Sequence, residues 1–168
     1  RGDQLLKWLY HDKVIDMSQM TNLPKSFRSW LSSNYSFDLP RLCAFKHSKD
    51  GTKKWSVGLE NGNYVEMVLI PERARNTLCV SSQVGCALKC DFCSTGKQGF
   101  KANLTTAEIV GQLILANRHL SREGTRVSNI VFMGMGEPLL NFEAVSSAIN
   151  LFQDDCAFGL SKRKVTLS

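Results

Sequence analysis

No run of eighteen apolar residues occurs anywhere in the chain. The longest candidates, "IVGQLILA" and "NIVFMGM", are short and broken by Gly or Gln, so a membrane-spanning helix is excluded. Six cysteines among 168 residues are too few for a small disulfide scaffold. The first residues lack the charged start, apolar run and small-residue cleavage site of a secretory leader, which points to a reducing cytoplasm. No internal repeat at a solenoid period and no low-complexity segment is present.

Charge is unbalanced. Lys and Arg number 21 against 15 Asp and Glu, giving a formal net charge of +6. The excess is spread along the chain and is sharpest in "SKRK", Ser161 to Lys164, which suggests a polyanionic partner, nucleic acid before membrane. With 43% hydrophobic and 21% charged residues the composition is globular, and the length allows one domain or one and a small second.

Apolar spacing predicts two short helices at the start, "DQLLKWLYH" and the segment after "TNLP", where Thr21 or Asn22 can cap and Pro24 suits a first turn. From about 41 to 70 the period becomes two: "RLCAFKH", a turn at Asp50-Gly51, "KWSVGLE", a turn at Asn61-Gly62, and "YVEMVLI", an antiparallel meander. After Pro71 strands and helices alternate. "TLCVSS" precedes a cysteine-rich loop, a Thr105 to Glu108 capping box opens "TTAEIVGQLILANRHL", "VSNIVFMGM" is a buried parallel strand, Asn141 caps "FEAVSSAINLFQDD", and "KVTLS" is a third strand. The fold class is α/β. Three regions follow: a helical segment at 1–35 suited to RNA, an antiparallel β extension at 36–71, and a βαβαβ domain at 72–168. Such sheets place their chemistry at the carboxyl ends of the strands, where the cysteine loop and "GMGEP" both fall.

That loop, "GCALKCDFCSTG", carries Cys86, Cys90 and Cys93 at spacings of four and three. Structural zinc wants four ligands, and Cys79 as the fourth lies within a predicted strand. A ferredoxin-type cluster also wants four cysteines, at other spacings. Thiol redox chemistry needs only Cys90 and Cys93. A four-iron cluster held by three thiolates, with one iron open to a ligand, uses all three.

CxxxCxxC after the first strand of a βα repeat, with an aromatic before the last cysteine and "MGMGEP" one strand later, resembles the radical S-adenosylmethionine (SAM) superfamily. Together with "FGLSKRKVTLS", "MTNLP" and "YVEMVLIPE", these segments resemble, over essentially the whole chain, the dual-specificity adenine-C2 RNA methyltransferases of large-subunit ribosomal RNA and transfer RNA. The related adenine-C8 ribosomal RNA methyltransferases share the cysteine loop; "MTNLP" and "FGLSKRKVTLS" favour the C2 class. Two readings from other classes are a zinc-stabilised, non-catalytic RNA-binding module and an electron-transfer iron–sulfur protein.

The resemblance implies the first half of a partial (β/α)6 barrel, a [4Fe-4S] cluster on Cys86, Cys90 and Cys93, and S-adenosyl-L-methionine received by Gly136 and Glu137 with Ser168. It implies RNA as partner, an electron donor such as flavodoxin, and no membrane. Carbon 2 of adenine is electron-poor, so polar methyl transfer fails there and a radical route through a methylated cysteine is implied. Glu66 is the implied base that removes the ring proton. It shares a strand face with Tyr64, Val68 and Ile70, where burial would raise its pKa. Cys79 matches the cysteine that releases product by forming a disulfide. The methyl-carrying cysteine of the family lies downstream of Ser168, so the chain is expected to be a truncated and inactive form; Cys43 and Cys156 are expected to be core thiols.

Overall fold

The computed structural model describes residues 1–168. Helix α1 (Gly2–Leu6) widens into a π-helical turn at Lys7–His11, and α2 spans Lys25–Asn34. Together they close a small core of Met17, Met20, Leu23 and Leu31, separate from the main one. Neither Thr21 nor Asn22 caps α2. Pro24 stands at its N-cap with no side-chain bond, and the Asn22 carboxamide oxygen instead accepts from Trp8 Nε1 at 2.5 Å, joining the two helices.

Strands β1 (Arg41–His47), β2 (Lys53–Gly58) and β3 (Tyr64–Glu72) form the expected meander. Strand β3 then pairs antiparallel with β4 (Arg75–Cys79), so the meander runs directly into the parallel part of one six-stranded sheet. A two-residue ribbon, β5 (Gln83–Val84) with β6 (Ala102–Asn103), brackets the cysteine loop and its short helix α3 (Ser94–Lys97). Helix α4 (Thr106–Ser121), β7 (Asn129–Phe132), α5 (Phe142–Gln153) and β8 (Val165–Leu167) complete the chain. The sheet order is β1-β2-β3-β4-β7-β8, with β4, β7 and β8 mutually parallel.

One face of the sheet is covered by α4 and α5. Trp55, Val57, Val65, Met67, Leu69, Leu78 and Ile130 pack against Ile109, Leu113, Leu120, Val145 and Phe152. This is the amphipathic logic of alternating strand residues meeting a helical stripe. The Thr105–Glu108 capping box is present on α4. Lys53 also points to the covered face, 9% exposed, and its ammonium meets Glu123 at 2.5 Å.

The other face is uncovered. It carries Tyr64, Glu66 and Ile70 of β3, all exposed, beside half-buried Val68 and Cys79. Burial of Glu66 among bulky neighbours is therefore not what the structure shows: its side chain is 51% exposed and its carboxylate lies 2.7 Å from Lys54 Nζ, because no layer packs on that side. Cys43 is likewise exposed on edge strand β1, at a register shift, rather than in a core, and Cys156 is half-buried. At the start of α5, Phe142 is 60% exposed, whereas Val145 and Phe152 further along are buried.

Candidate functional site

Three segments converge at the carboxyl ends of the parallel strands: residues 80–84 after β4, 133–137 after β7, and Ser168 after β8. The first two are locked together by backbone and buried polar groups. The N–H groups of Ser82 and Gln83 both donate to the Met135 carbonyl, at 2.9 and 3.1 Å. Ser81 Oγ donates to the Glu66 carbonyl at 2.6 Å and accepts from Met135 N–H at 2.8 Å. Gln83 Oε1 accepts from Glu137 N–H at 2.8 Å, while its Nε2 donates to Asn103 Oδ1 at 2.8 Å. Gly136 (φ +94°) lies so close to Gln83 that a Cβ would stand 2.4 Å from the Gln83 Cβ. Only glycine combines that dihedral with that approach.

Buried amides extend this lock into the helices. Gln112 of α4 accepts from Ser81 N–H and donates to the Ser81 carbonyl, both at 2.9 Å. Asn141 does not cap α5 as its position predicts; its amide donates instead to the carbonyls of Ser82 and Leu104, each at 2.8 Å. Ser81, Ser82, Gln83, Gln112 and Asn141 are all buried, and motif reasoning finds none of them as part of the site. A signal does exist: Gln112 sits on the apolar stripe of α4 between Ile109 and Leu113, where a polar residue needs a partner.

The cysteine loop leaves and returns through a tight gate. Gly85 (φ +72°) faces Gly99, whose carbonyl oxygen would be 1.7 Å from a Cβ, and Cys86 N–H donates to that same carbonyl at 3.2 Å. Within the loop Cys86 is buried, Cys90 and Cys93 are half-exposed, and the neighbouring Phe92 stands almost wholly in solvent. Cys93 is the N-cap of α3, and the N–H groups of Gly96 and then Thr95 hold its thiol below the ordinary cysteine range. Cys79 behaves oppositely: burial pushes its thiol up. It lies outside the loop, on the uncovered face, across from Val68 and diagonal to Glu66.

No group of three or more metal-binding side chains is gathered in the structure, so the three sulfurs do not meet at a common point. The donor chemistry nevertheless suits a thiolate-held cluster. Three thiols share one loop, one of them is held below the ordinary cysteine range, and a cleft of about 250 Å³ opens against Lys89, Cys90, Gly96 and Lys97. All six cysteines are free. No helix is long and apolar enough to cross a membrane.

Residues 1–36 match the family described as ribosomal RNA large subunit methyltransferase N-terminal domain. The chain is 52% identical over 168 residues to the dual-specificity RNA methyltransferase RlmN of Vesicomyosocius okutanii, covering 100% of this chain and 47% of that protein. It is 51% identical over the same span to the protein of that name from Alkalilimnicola ehrlichii. A crystal structure of a radical SAM methyltransferase from Sphaerobacter thermophilus superposes with a TM-score of 0.89 at 35% identity, over 99% of this chain and 49% of that one. The chain thus spans about half the length of the relatives it matches. Along all of its own length it is similar to part of the dual-specificity RNA methyltransferases, on the fold of a radical SAM methyltransferase.

Proposed function

We propose that the chain is the cluster- and SAM-holding part of an RNA methyltransferase that adds a methyl group to carbon 2 of adenine in large-subunit ribosomal RNA and transfer RNA. The carrying observation is the lock between residues 81–83 and 135–137, which fixes Gly136 and Glu137 beside the gate of the three-cysteine loop. The whole-length likeness to the dual-specificity RNA methyltransferases supports the substrate class.

Cys86, Cys90 and Cys93 would hold the cluster, which with bound SAM supplies one-electron cleavage chemistry fed by an external donor such as flavodoxin. Gly136 and Glu137 offer acceptors to the SAM ammonium, and Ser168 borders the same end of the sheet. Glu66 accepts the ring proton. Its carboxylate, held beside Lys54, faces the uncovered side on which Cys79 lies. Cys79, kept protonated by burial, is the thiol that releases product.

The test uses a protein joining this chain to the C-terminal half that its relatives carry. Reconstituted without oxygen and given reductant, labelled SAM and RNA, it is expected to yield 2-methyladenosine. Yielding only 8-methyladenosine, or no methylated RNA, would overturn the reading. Glu66→Gln is expected to lose methylated RNA while still consuming SAM; normal product from that variant removes Glu66 from the mechanism.

A further inference from the structure

A cleft of about 290 Å³ lies at the other end of the sheet from the cysteine loop. Val127 and Ser128 in its wall directly precede β7, and Lys164 directly precedes β8, so it opens at the amino ends of the parallel strands. Four parts of the chain meet there: the segment after α1, the inner side of α4, the stretch before β7, and residues 157–164. Lys13, Arg126 and Lys164 reach it from three of these parts, and no Asp or Glu lines it. None of the three cations has a carboxylate within 4 Å, since the ion pairs of the structure all lie elsewhere; Asp12 beside it is taken up by His11 at 2.9 Å. Lys13 adopts a left-handed conformation (φ +59°), uncommon for a side-chain-bearing residue. Tyr10 and Phe158 form an aromatic wall, ring centroids 5.1 Å apart.

Like charges brought together from distant parts of a chain repel unless an anion joins them, and aromatic faces beside cations suit a nucleotide. We infer that this cleft binds the phosphodiester backbone of RNA, as an anchor remote from the chemistry. For the identity of the anion this rests on the RNA-methyltransferase reading. The four residues of β7 span roughly 13 Å, so RNA seated here would have to pass around the molecule to present its adenine at the opposite end. The anchor would therefore set affinity and salt dependence without touching the reacting base. The cationic turn "SKRK" acquires a place by this inference: Lys164 faces the cleft, and Lys162 lies outside it.

The experiment measures binding of the 168-residue chain to a labelled single-stranded RNA by fluorescence anisotropy across a salt series. The double variant Arg126→Gln/Lys164→Gln is expected to bind about tenfold more weakly. Its slope of log affinity against log salt should be reduced by about 1.4, at about 0.7 for each phosphate no longer neutralised. Arg126→Lys/Lys164→Arg, which keeps both charges, is expected to bind as the unmodified chain does. Lys49→Gln/Arg73→Gln, removing two exposed cations elsewhere, is expected to change little. The inference is overturned if the first variant keeps its affinity and salt slope, if the Lys49/Arg73 control loses as much, or if inorganic phosphate binding falls while RNA binding does not. Failure of the unmodified chain to bind RNA also overturns it, and the 2-methyladenosine assay reports separately whether the methyltransferase reading fails too. Matching thermal unfolding of all variants separates loss of charge from loss of fold.

Discussion

Gly136 rests against Gln83 with no room for a side chain: a Cβ would lie 2.4 Å from the Gln83 Cβ and 2.7 Å from its backbone nitrogen. Gly136→Ala would meet both that clash and the cost of an alanine at φ +94°, about 1–2 kcal/mol for the dihedral alone. The segment is expected to shift away from residues 81–83, breaking the Glu137 N–H to Gln83 bond. Thermal unfolding should fall by about 5–10 °C, since 1 kcal/mol corresponds to roughly 2–4 °C at this size. An unchanged melting temperature would show that the segment accommodates alanine.

Gln112 serves one residue twice, accepting from the N–H of Ser81 and donating to its carbonyl. Gln112→Leu keeps the apolar packing of α4 and leaves both backbone groups buried without partners. The expected loss is about 2–6 kcal/mol, at about 1–3 kcal/mol for each of the two unsatisfied groups. Denaturant unfolding measures it. Gln112→Glu separates the two bonds, since a carboxylate still accepts from the N–H but cannot donate to the carbonyl.

The elements are legible in the sequence where one period runs unbroken. Alternation in "KWSVG" and "YVEMVLI", the Asp50-Gly51 and Asn61-Gly62 turns and the Thr105–Glu108 box all correspond to observed structure. What escapes local pattern depends on which neighbour is present. Alternation places Glu66 with Tyr64 and Ile70 on one face, but whether that face is buried depends on a covering layer, and none lies on it here. Asn141 in turn precedes a helix and looks like a cap. Two carbonyls from distant segments, Ser82 and Leu104, outcompete the local bond. The Ser81–Gln83 lock joins residues more than fifty positions from their partners at 135–137, too far apart for any local period to connect them.

Iron content distinguishes the roles of the cysteines. After anaerobic reconstitution, Cys86→Ala, Cys90→Ala and Cys93→Ala are each expected to lose the cluster, whereas Cys79→Ala keeps its iron, because Cys79 lies on the sheet face outside the loop. Iron and sulfide analysis with the visible spectrum checks this. Loss of iron from Cys79→Ala, or one zinc per chain in place of iron, would overturn the ligand assignment.

The Lys53–Glu123 pair makes stability depend on pH in a definite direction. Lys53 projects from β2 to the covered side of the sheet, and Glu123, just beyond α4, reaches it with both oxygens at 2.5 and 2.6 Å. The bonds from Lys53 hold the Glu123 carboxyl below the ordinary range, with smaller help from His119 and His47. A folded-state pKa below the unfolded one stabilises the fold at any pH above the unfolded value, and the gain is lost as pH falls through the folded one. Glu123 is 47% exposed, so solvent screening limits its share, but the ammonium it partners is 9% exposed and has no other carboxylate. Glu123→Gln is therefore expected to cost about 1–2 kcal/mol at neutral pH, less than the full loss of a buried pair because one partner is wet. The deficit should hold constant from pH 7 down to the ordinary carboxylate range and then shrink, since protonation removes the same charge from the unmodified protein. Urea unfolding of both proteins from pH 7 to pH 3 gives the difference directly; a deficit that grows on acidification would mean that the Lys53 ammonium draws its stabilisation from something other than the Glu123 carboxylate.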